Sequence, residues 1–307
     1  MSVAPEDREI IARLAKERDA VILAHYYCLP EIHDVADFVG DSLGLSQEAA
    51  RSSAKVIVFC GVHFMAETAS ILCPEKTVLL ANADAGCPMA DMVAPEDLEK
   101  RKAESPGVPV LTYVNSSAKV KALSDICCTS ANVTAVLRSL PSQKVLMTPD
   151  RNLALYAQSL VPEKEVLLWP GFCPTHHRLN LLEIQELKRS HPLAEVIAHP
   201  ECQPKILNEA HFIGSTSGLI KRCAQSDKDE FIILTESGVI YPLSKAHPDK
   251  KFYQPKTAMI CPNMKKNRVS DIILALKNLE PVIKVPEEIR LPALRAVERM
   301  LAIPRDQ

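Results

Sequence analysis

The sequence predicts an α/β protein built from three copies of one parallel-sheet unit, and three observations carry that expectation. Short apolar runs of four to six residues alternate with helical patterns of about ten, the signature of βαβ units on a parallel sheet. A cysteine followed by proline closes an apolar run at Cys87-Pro88, Cys173-Pro174 and Cys261-Pro262, steps of 86 and 88 residues (173 − 87 and 261 − 173). Two further sets keep that phase: His25, Tyr113 and His199 lie near the ends of apolar runs, and Ser42, Ser130 and Thr216 each follow them by 17 residues. A long internal period sets the architecture before any single element is assigned. It divides the chain into units at residues 1–106, 107–191 and 192–307.

In the first unit, residues 5–17 form an amphipathic helix and residues 20–24 a short buried strand. EIHDVADF, after Pro30, reads as helix, as do residues 43–53 behind Ser42. Strand 55–60, helix 63–72 and strand 77–81 lead to Cys87. The second unit repeats the pattern with strand 109–114, a helix near 117–123, a short strand into Ser130, helix 131–140, strand 143–147, helix 150–160 and strand 165–169. The third has strand 194–199, helix 204–210, a short strand at 212–213, helix 217–225 and strand 230–234. Residues 235–257, with Pro242, Pro248 and Pro255, are less regular, and a strand is expected at 257–260 before Cys261. Helices near 270–279 and 289–302 follow, and residues 95–107 and 180–192 connect the units.

Composition excludes several function classes. A net charge of −2 gives no footprint for nucleic acid or an anionic membrane. The longest apolar stretch, VIVFCGVHFMAETASIL, contains His63 and Glu67 and is too short to span a bilayer. The first residues, MSVAPEDREI, are too polar for a signal peptide. Ten cysteines without an export signal therefore point to the cytoplasm, and to metal or catalysis before disulfides. Nine glycines and no GxGxxG or GKS/T motif argue against a dinucleotide or P-loop site.

Ligands of parallel α/β sheets bind beyond the carboxyl ends of the strands, and His25, Tyr27, Tyr113, Asn115, His199 and Glu201 fall there. Ser42, Ser130 and Thr216 precede apolar-periodic runs, the place of an N-cap. They either cap three helices only, or bring three helix N-termini to one cavity suited to carboxylates or phosphate. Cys28, Cys60, Cys202 and Cys223 read as small buried hydrophobes, and Cys127 and Cys128 as packing residues. Cys73-Pro74 is a Cys-Pro out of phase. Cys87, Cys173 and Cys261 are too far apart for a local zinc knuckle, so the fold must assemble their site. Three thiolates suit zinc or an iron–sulfur cluster, and a cubane held by three would leave one iron open as a Lewis acid.

The stretches HYY, DFVGDSLGLSQEA, FCGVHFMAETASIL, AGCPMADM and TYVNSSAKVKALSDICCTSAN, with WPGFCPTHH, IAHPEC, FIGSTSG and CPNMKK, resemble the quinolinate synthase family. The resemblance runs from about His25 to Lys266. It implies three similar three-layer α/β/α domains related by pseudo-threefold symmetry around a central active site. It also implies one 4Fe–4S cluster with three cysteine ligands, here Cys87, Cys173 and Cys261. The implied reaction condenses iminosuccinate, an aspartate oxidation product, with dihydroxyacetone phosphate to quinolinate for NAD biosynthesis, with a possible functional link to L-aspartate oxidase or aspartate dehydrogenase. The implied substrate-binding residues are His25, Asp41, Ser42, Tyr113, Asn115, Ser130, His199, Glu201, Ser215 and Thr216. The resemblance gives catalytic roles to Glu201 and Tyr27, with His25, His199 and Tyr113 beside them, and puts His176 next to the cluster. Glu201 could shuttle protons if its site raises its pKa. His33, His63, His191, His211 and His247 are expected to be surface or core residues, and His177, beside a proposed ligand, is left open between a structural role and one that supports the ligand. The chain departs from the pattern at Cys28, where a polar residue, often Gln, is usual, and at CPNM, where some members carry a CxxCxxC run. Two other readings stand beside this one. An iron–sulfur redox or sensor protein would take its fourth ligand from Cys73, Cys128 or Cys202; a zinc-stabilised structural protein would be colourless and insensitive to air.

Overall fold

The computed structural model describes residues 3–306, so the outermost residues of the expected first and third units lie outside the described chain. Three four-stranded parallel sheets follow one another along the sequence. The first has β1 (Ala20–His25), β2 (Phe38–Gly40), β3 (Val56–Cys60) and β4 (Thr77–Leu80), in the order β2-β1-β3-β4. The second has β5 (Val110–Tyr113), β6 (Ile126–Cys128), β7 (Lys144–Thr148) and β8 (Glu165–Leu168), in the order β6-β5-β7-β8. The third has β9 (Glu195–Ala198), β10 (Phe212–Ile213), β11 (Glu230–Leu234) and β12 (Lys251–Tyr253), in the order β10-β9-β11-β12. The α/β class and the three similar units are as the periodicity led us to expect.

Each sheet is covered on both faces. Along β1 and β3, Leu23, Ile57 and Phe59 point into the large central apolar cluster. Their neighbours Ile22, Ala24, Val56 and Val58 point the other way, against Ile11 and Leu14 of the first helix (Pro5–Arg18). Burial on both faces is why these strands read as continuous apolar runs and not as alternating ones.

The repeat extends to hydrogen bonds. Asp37, Asp125 and His211, each 12 residues after the marker positions 25, 113 and 199, accept the N–H of Ile22, Val110 and Val196 at 2.8, 2.7 and 2.9 Å. Lys76, Lys164 and Lys250, each 51 residues after the same markers, donate to carbonyls at or just past the ends of the helices Ser42–Arg51, Val133–Ser139 and Thr216–Gln225. Lys76 reaches Ala49 and Ser52, Lys164 reaches Leu140 and Ser142, and Lys250 reaches Cys223 and Ser226.

Three elements differ from the expectation. EIHDVADF is helical only over Pro30–His33. Asp37 then turns its carboxylate to the Ile22 N–H, which draws the chain out of the helix and lets Phe38–Gly40 pair with β1. Residues 257–260 do not form a strand. The sheet edge is taken by β12, paired Glu230↔Lys251, and Thr257 instead donates to Glu183. Finally, Ser42 and Thr216 do not cap their helices but are the first helical residues. The caps are Asp41, which accepts from Gly44 N–H at 2.9 Å, and Ser215, which accepts from Gly218 N–H at 3.2 Å. In the second unit the helix begins at Val133 behind Asn132, so Ser130 stands outside it. Two helices, not three, begin at the repeated hydroxyls.

The last helices return to the earlier units. Ile272 and Leu276, from helix Val269–Asn278, pack with Ile11 and Leu14. Ala293, Val297 and Met300, from helix Glu287–Leu301, join the central cluster with Ile126 and Val133. Beyond them Arg305 makes a two-pronged contact with Asp41 (2.7 and 2.9 Å). The Asp306 carboxylate accepts from Thr134 and Ala135 N–H at 3.0 and 2.8 Å. This strap ties the helix starts of the first and second units together. No helix among the described residues is long and apolar enough to cross a membrane.

Candidate active site

One cavity is lined by residues of all three units. His25, Tyr113 and His199, with Tyr27, Asn115 and Glu201, come from the carboxyl ends of the central strands β1, β5 and β9, and Ser42, Ser130 and Thr216 follow the edge strands β2, β6 and β10. The backbone there turns in the same way in the first and third units. Tyr27 N–H donates to His25 Nδ1 at 3.1 Å, and Glu201 N–H to His199 Nδ1 at 3.3 Å. Accepting at Nδ1 leaves the ring proton on Nε2. His199 Nε2 then meets Ser130 Oγ at 3.1 Å. Burial removes the solvation that a charged imidazole needs, so His25 is pushed down to about 3 and His199 to about 4. Both rings are neutral at pH 7.

A continuous polar chain crosses the cavity. Tyr27 Oη lies between Thr216 Oγ1 (2.9 Å) and Thr235 Oγ1 (2.8 Å). Thr235 Oγ1 in turn meets His176 Nε2 at 2.9 Å. The other nitrogen of His176, Nδ1, lies 2.7 Å from Glu201 Oε2 and 3.2 Å from Cys173 Sγ. Burial works to raise the Glu201 carboxyl, but His199, His176 and a hydrogen bond from Tyr113 outweigh it and hold Glu201 below the usual carboxylate range. The raised pKa imagined for proton shuttling is therefore not what this pocket provides; Glu201 is an ionised base. Burial, reinforced by the Glu201 charge, pushes the Tyr27 and Tyr113 hydroxyls well up, so both are donors at neutral pH.

His25, Tyr27, Asp41, Ser42, Tyr113 and Asn115 all line the cavity, as do Ser130, His176, His199, Glu201 and Thr216. Ser215 does not; it is occupied as a helix cap. His177 faces Arg151 and Asn152 instead, at 3.1 Å from each. Thr235 was not found in the sequence, because the residues in phase with it are Gly61 and Pro149, which carry no hydroxyl. Buried Asp150 and Glu236 could have been found: they stand 37 residues after Tyr113 and His199, an acid at one offset twice (150 − 113 and 236 − 199).

Of the ten cysteines, Cys87, Cys173 and Cys261 line the cavity, one from each unit. The others are buried packing residues: the Cys28 thiol donates to Cys60 O at 3.2 Å and the Cys202 thiol points to Leu234 O at 3.5 Å. Cys73, Cys128 and Cys202 are away from the cavity lining, so none is placed as a fourth ligand. Burial pushes the Cys87 thiol up to about 12 and raises those of Cys173 and Cys261. The tightest ligand-type group among the described residues is Cys173, His176 and Glu201, with donor atoms within 4.8 Å of one another. Three soft sulfur donors around a shared space fit an iron–sulfur cluster in chemistry. Asn115 Oδ1, buried and without a protein partner, offers an acceptor to a bound molecule.

Similarity to known proteins shows the family. A family model described as NadA: Quinolinate synthetase A protein matches residues 9–302. The chain is 54% identical over 296 residues to the quinolinate synthase of Geobacter sp. (strain M21), covering 96% of this chain and 97% of that protein. It is 50% identical over 295 residues to the quinolinate synthase of Thermodesulfovibrio yellowstonii and 51% identical over 295 to that of Methanosarcina barkeri, in each case 96% of this chain and 97% of the relative.

Proposed function

The chain belongs to the quinolinate synthase family, and from that premise we propose that it condenses iminosuccinate with dihydroxyacetone phosphate, releasing phosphate and water. The product is quinolinate, an intermediate of NAD biosynthesis. One observation supports this reading above the others: three cysteines, one from each repeated unit, line the same cavity as the ionised Glu201. Cys87, Cys173 and Cys261 would hold a 4Fe–4S cluster, which supplies a Lewis-acidic iron for a hydroxyl or carboxylate of the reacting molecule. In this reading the units of residues 1–106, 107–191 and 192–307 each give one ligand.

The protein's own groups would handle binding and protons. Ser42 and Thr216, at two helix N-termini, with Ser130, hold the substrates' carboxylates and phosphate. His25 and His199, neutral and protonated at Nε2, donate to substrate oxygens. Asn115 Oδ1 accepts from an amine or hydroxyl. Glu201 takes a proton from carbon, and Tyr27 returns one to a leaving oxygen. His176 and Thr235 connect these two groups through hydrogen bonds, so a proton moves between them without entering bulk water. The substrates' unstable imine also implies a nearby source, an L-aspartate oxidase or dehydrogenase activity, in the cytoplasm.

An anaerobic preparation tests the proposal. Four irons and four sulfides per chain, with quinolinate formed from the two substrates, are expected; a colourless zinc protein without activity would overturn it. The redox-sensor and zinc-scaffold readings are not favoured.

A further inference from the structure

The three loops that carry the cavity cysteines are anchored unequally. All three share one anchor: the N–H of His63, Arg151 and Ser237 donates to the carbonyl two residues before each cysteine, Ala85, Gly171 and Met259, at 2.8, 2.9 and 2.8 Å. Lys266 also reaches Asp84 O in the first loop, but only in the other two does a carboxylate accept from the cysteine's own N–H. Asp150, fully buried, accepts from Cys173 N–H at 3.0 Å with one oxygen and from Leu153 N–H at 2.8 Å with the other. Glu236, also fully buried, accepts from Cys261 N–H at 3.0 Å and from Gly238 N–H at 2.7 Å, and Lys265 holds it at 3.0 Å. Each carboxylate thus joins the cysteine's own amide to the start of a helical turn. At the same place in the first unit stands Val62, which has no acceptor to offer.

Cys87 differs in a second way. Besides the central cavity it lines a separate pocket on the other side, with His63, Asp84, Gly86 and Asp91, and a Cβ added at Gly86 would meet nothing within 4 Å. Neither Cys173 nor Cys261 reaches that pocket.

We infer that Asp150 and Glu236 are positioning residues that lock Cys173 and Cys261, and that Cys87 is the movable ligand through which the iron–sulfur group is taken up and lost. Replacing either carboxylate with an amide leaves one acceptor oxygen for two N–H donors and sets an NH2 group against one of them, which weakens the hold on the cysteine amide. This rests on the cluster reading for the iron, but the anchoring itself concerns the thiols alone.

The test uses the full-length chain purified without air. A chelator draws off the iron while a thiol-alkylating reagent is present, and peptide mass spectrometry follows the three cysteines. In the unaltered chain Cys87 is expected to alkylate at least tenfold faster than Cys173 or Cys261. Asp150→Asn should raise the Cys173 rate severalfold and Glu236→Gln the Cys261 rate, each with faster iron release. Glu195→Gln, which alters a buried acid that serves Arg222 and Ser226, is the control and should change neither. Equal rates for the three cysteines in the unaltered chain, or unchanged rates in both variants, would overturn the inference. If one variant fails to fold, the other and the order in the unaltered chain still decide. A chain that binds no iron would defeat the cluster reading, yet the alkylation order would still report on the anchors.

Discussion

At the scale of single residues the site is governed by burial. Glu201 stays ionised because two imidazoles and a tyrosine surround it, so its amide replacement removes the base without removing a hydrogen-bonding shape. In the proposed reading Glu201→Gln is expected to lower turnover about 100- to 10,000-fold while the iron bound per chain is unchanged; normal turnover would take Glu201 out of the mechanism. His25 gives a second prediction. Folding holds it neutral down to about 3, whereas the unfolded chain binds a proton near 6.5. The unfolded state therefore takes up the extra proton below pH 6.5. The stability this ring contributes is complete above that pH and is lost as the pH falls towards 3. Nuclear magnetic resonance should show no titration of His25 between pH 8 and 5, and the urea midpoint should fall over the acid range; a ring titrating near 6.5 would contradict this. Most of these residues were legible because they recur in phase. Thr235 was not, since its role comes from where β11 delivers it and not from any repeated pattern.

Among elements, the repeat is deeper than its chemistry. The three lysines at one offset each tie off the carbonyls where a helix ends, a place where acceptors have no partner within the helix. Lys164 is the most buried of them. Lys164→Met leaves two carbonyls, those of Leu140 and Ser142, without their donor. It is expected to cost about 1–3 kcal/mol, visible in calorimetry as a lower unfolding temperature with cavity chemistry intact at low temperature. No change would mean that water replaces the ammonium. Apolar runs and their period gave most strands correctly. The errors have local causes: Asp37 stops a helical pattern that looked continuous, and β12, being short and half exposed, carries too weak a pattern to compete with the apolar run at 257–260.

For the whole molecule, what matters is how the units are held in register around the cavity. Arg305 neutralises Asp41, which caps the helix beginning at Ser42 and lines the cavity where the proposed substrates, both anionic, would bind. Without it a bare carboxylate would repel them over a short distance in a poorly solvated site. Arg305→Met is expected to raise KM about tenfold and leave kcat within a factor of two or three, read from steady-state rates; unchanged KM would make the strap idle. The sequence could not announce this contact, because 264 residues separate its partners. That spread along the chain also sets a timetable for biogenesis. Cys261 is synthesised 174 residues after Cys87 (261 − 87), which at the ribosome's pace of about 5–20 residues per second is roughly 9–35 s. Through that interval Cys87 waits without its two cavity companions, so a metal centre of the kind proposed would be assembled only after Cys261 is made, and oxidants met during translation reach Cys87 first.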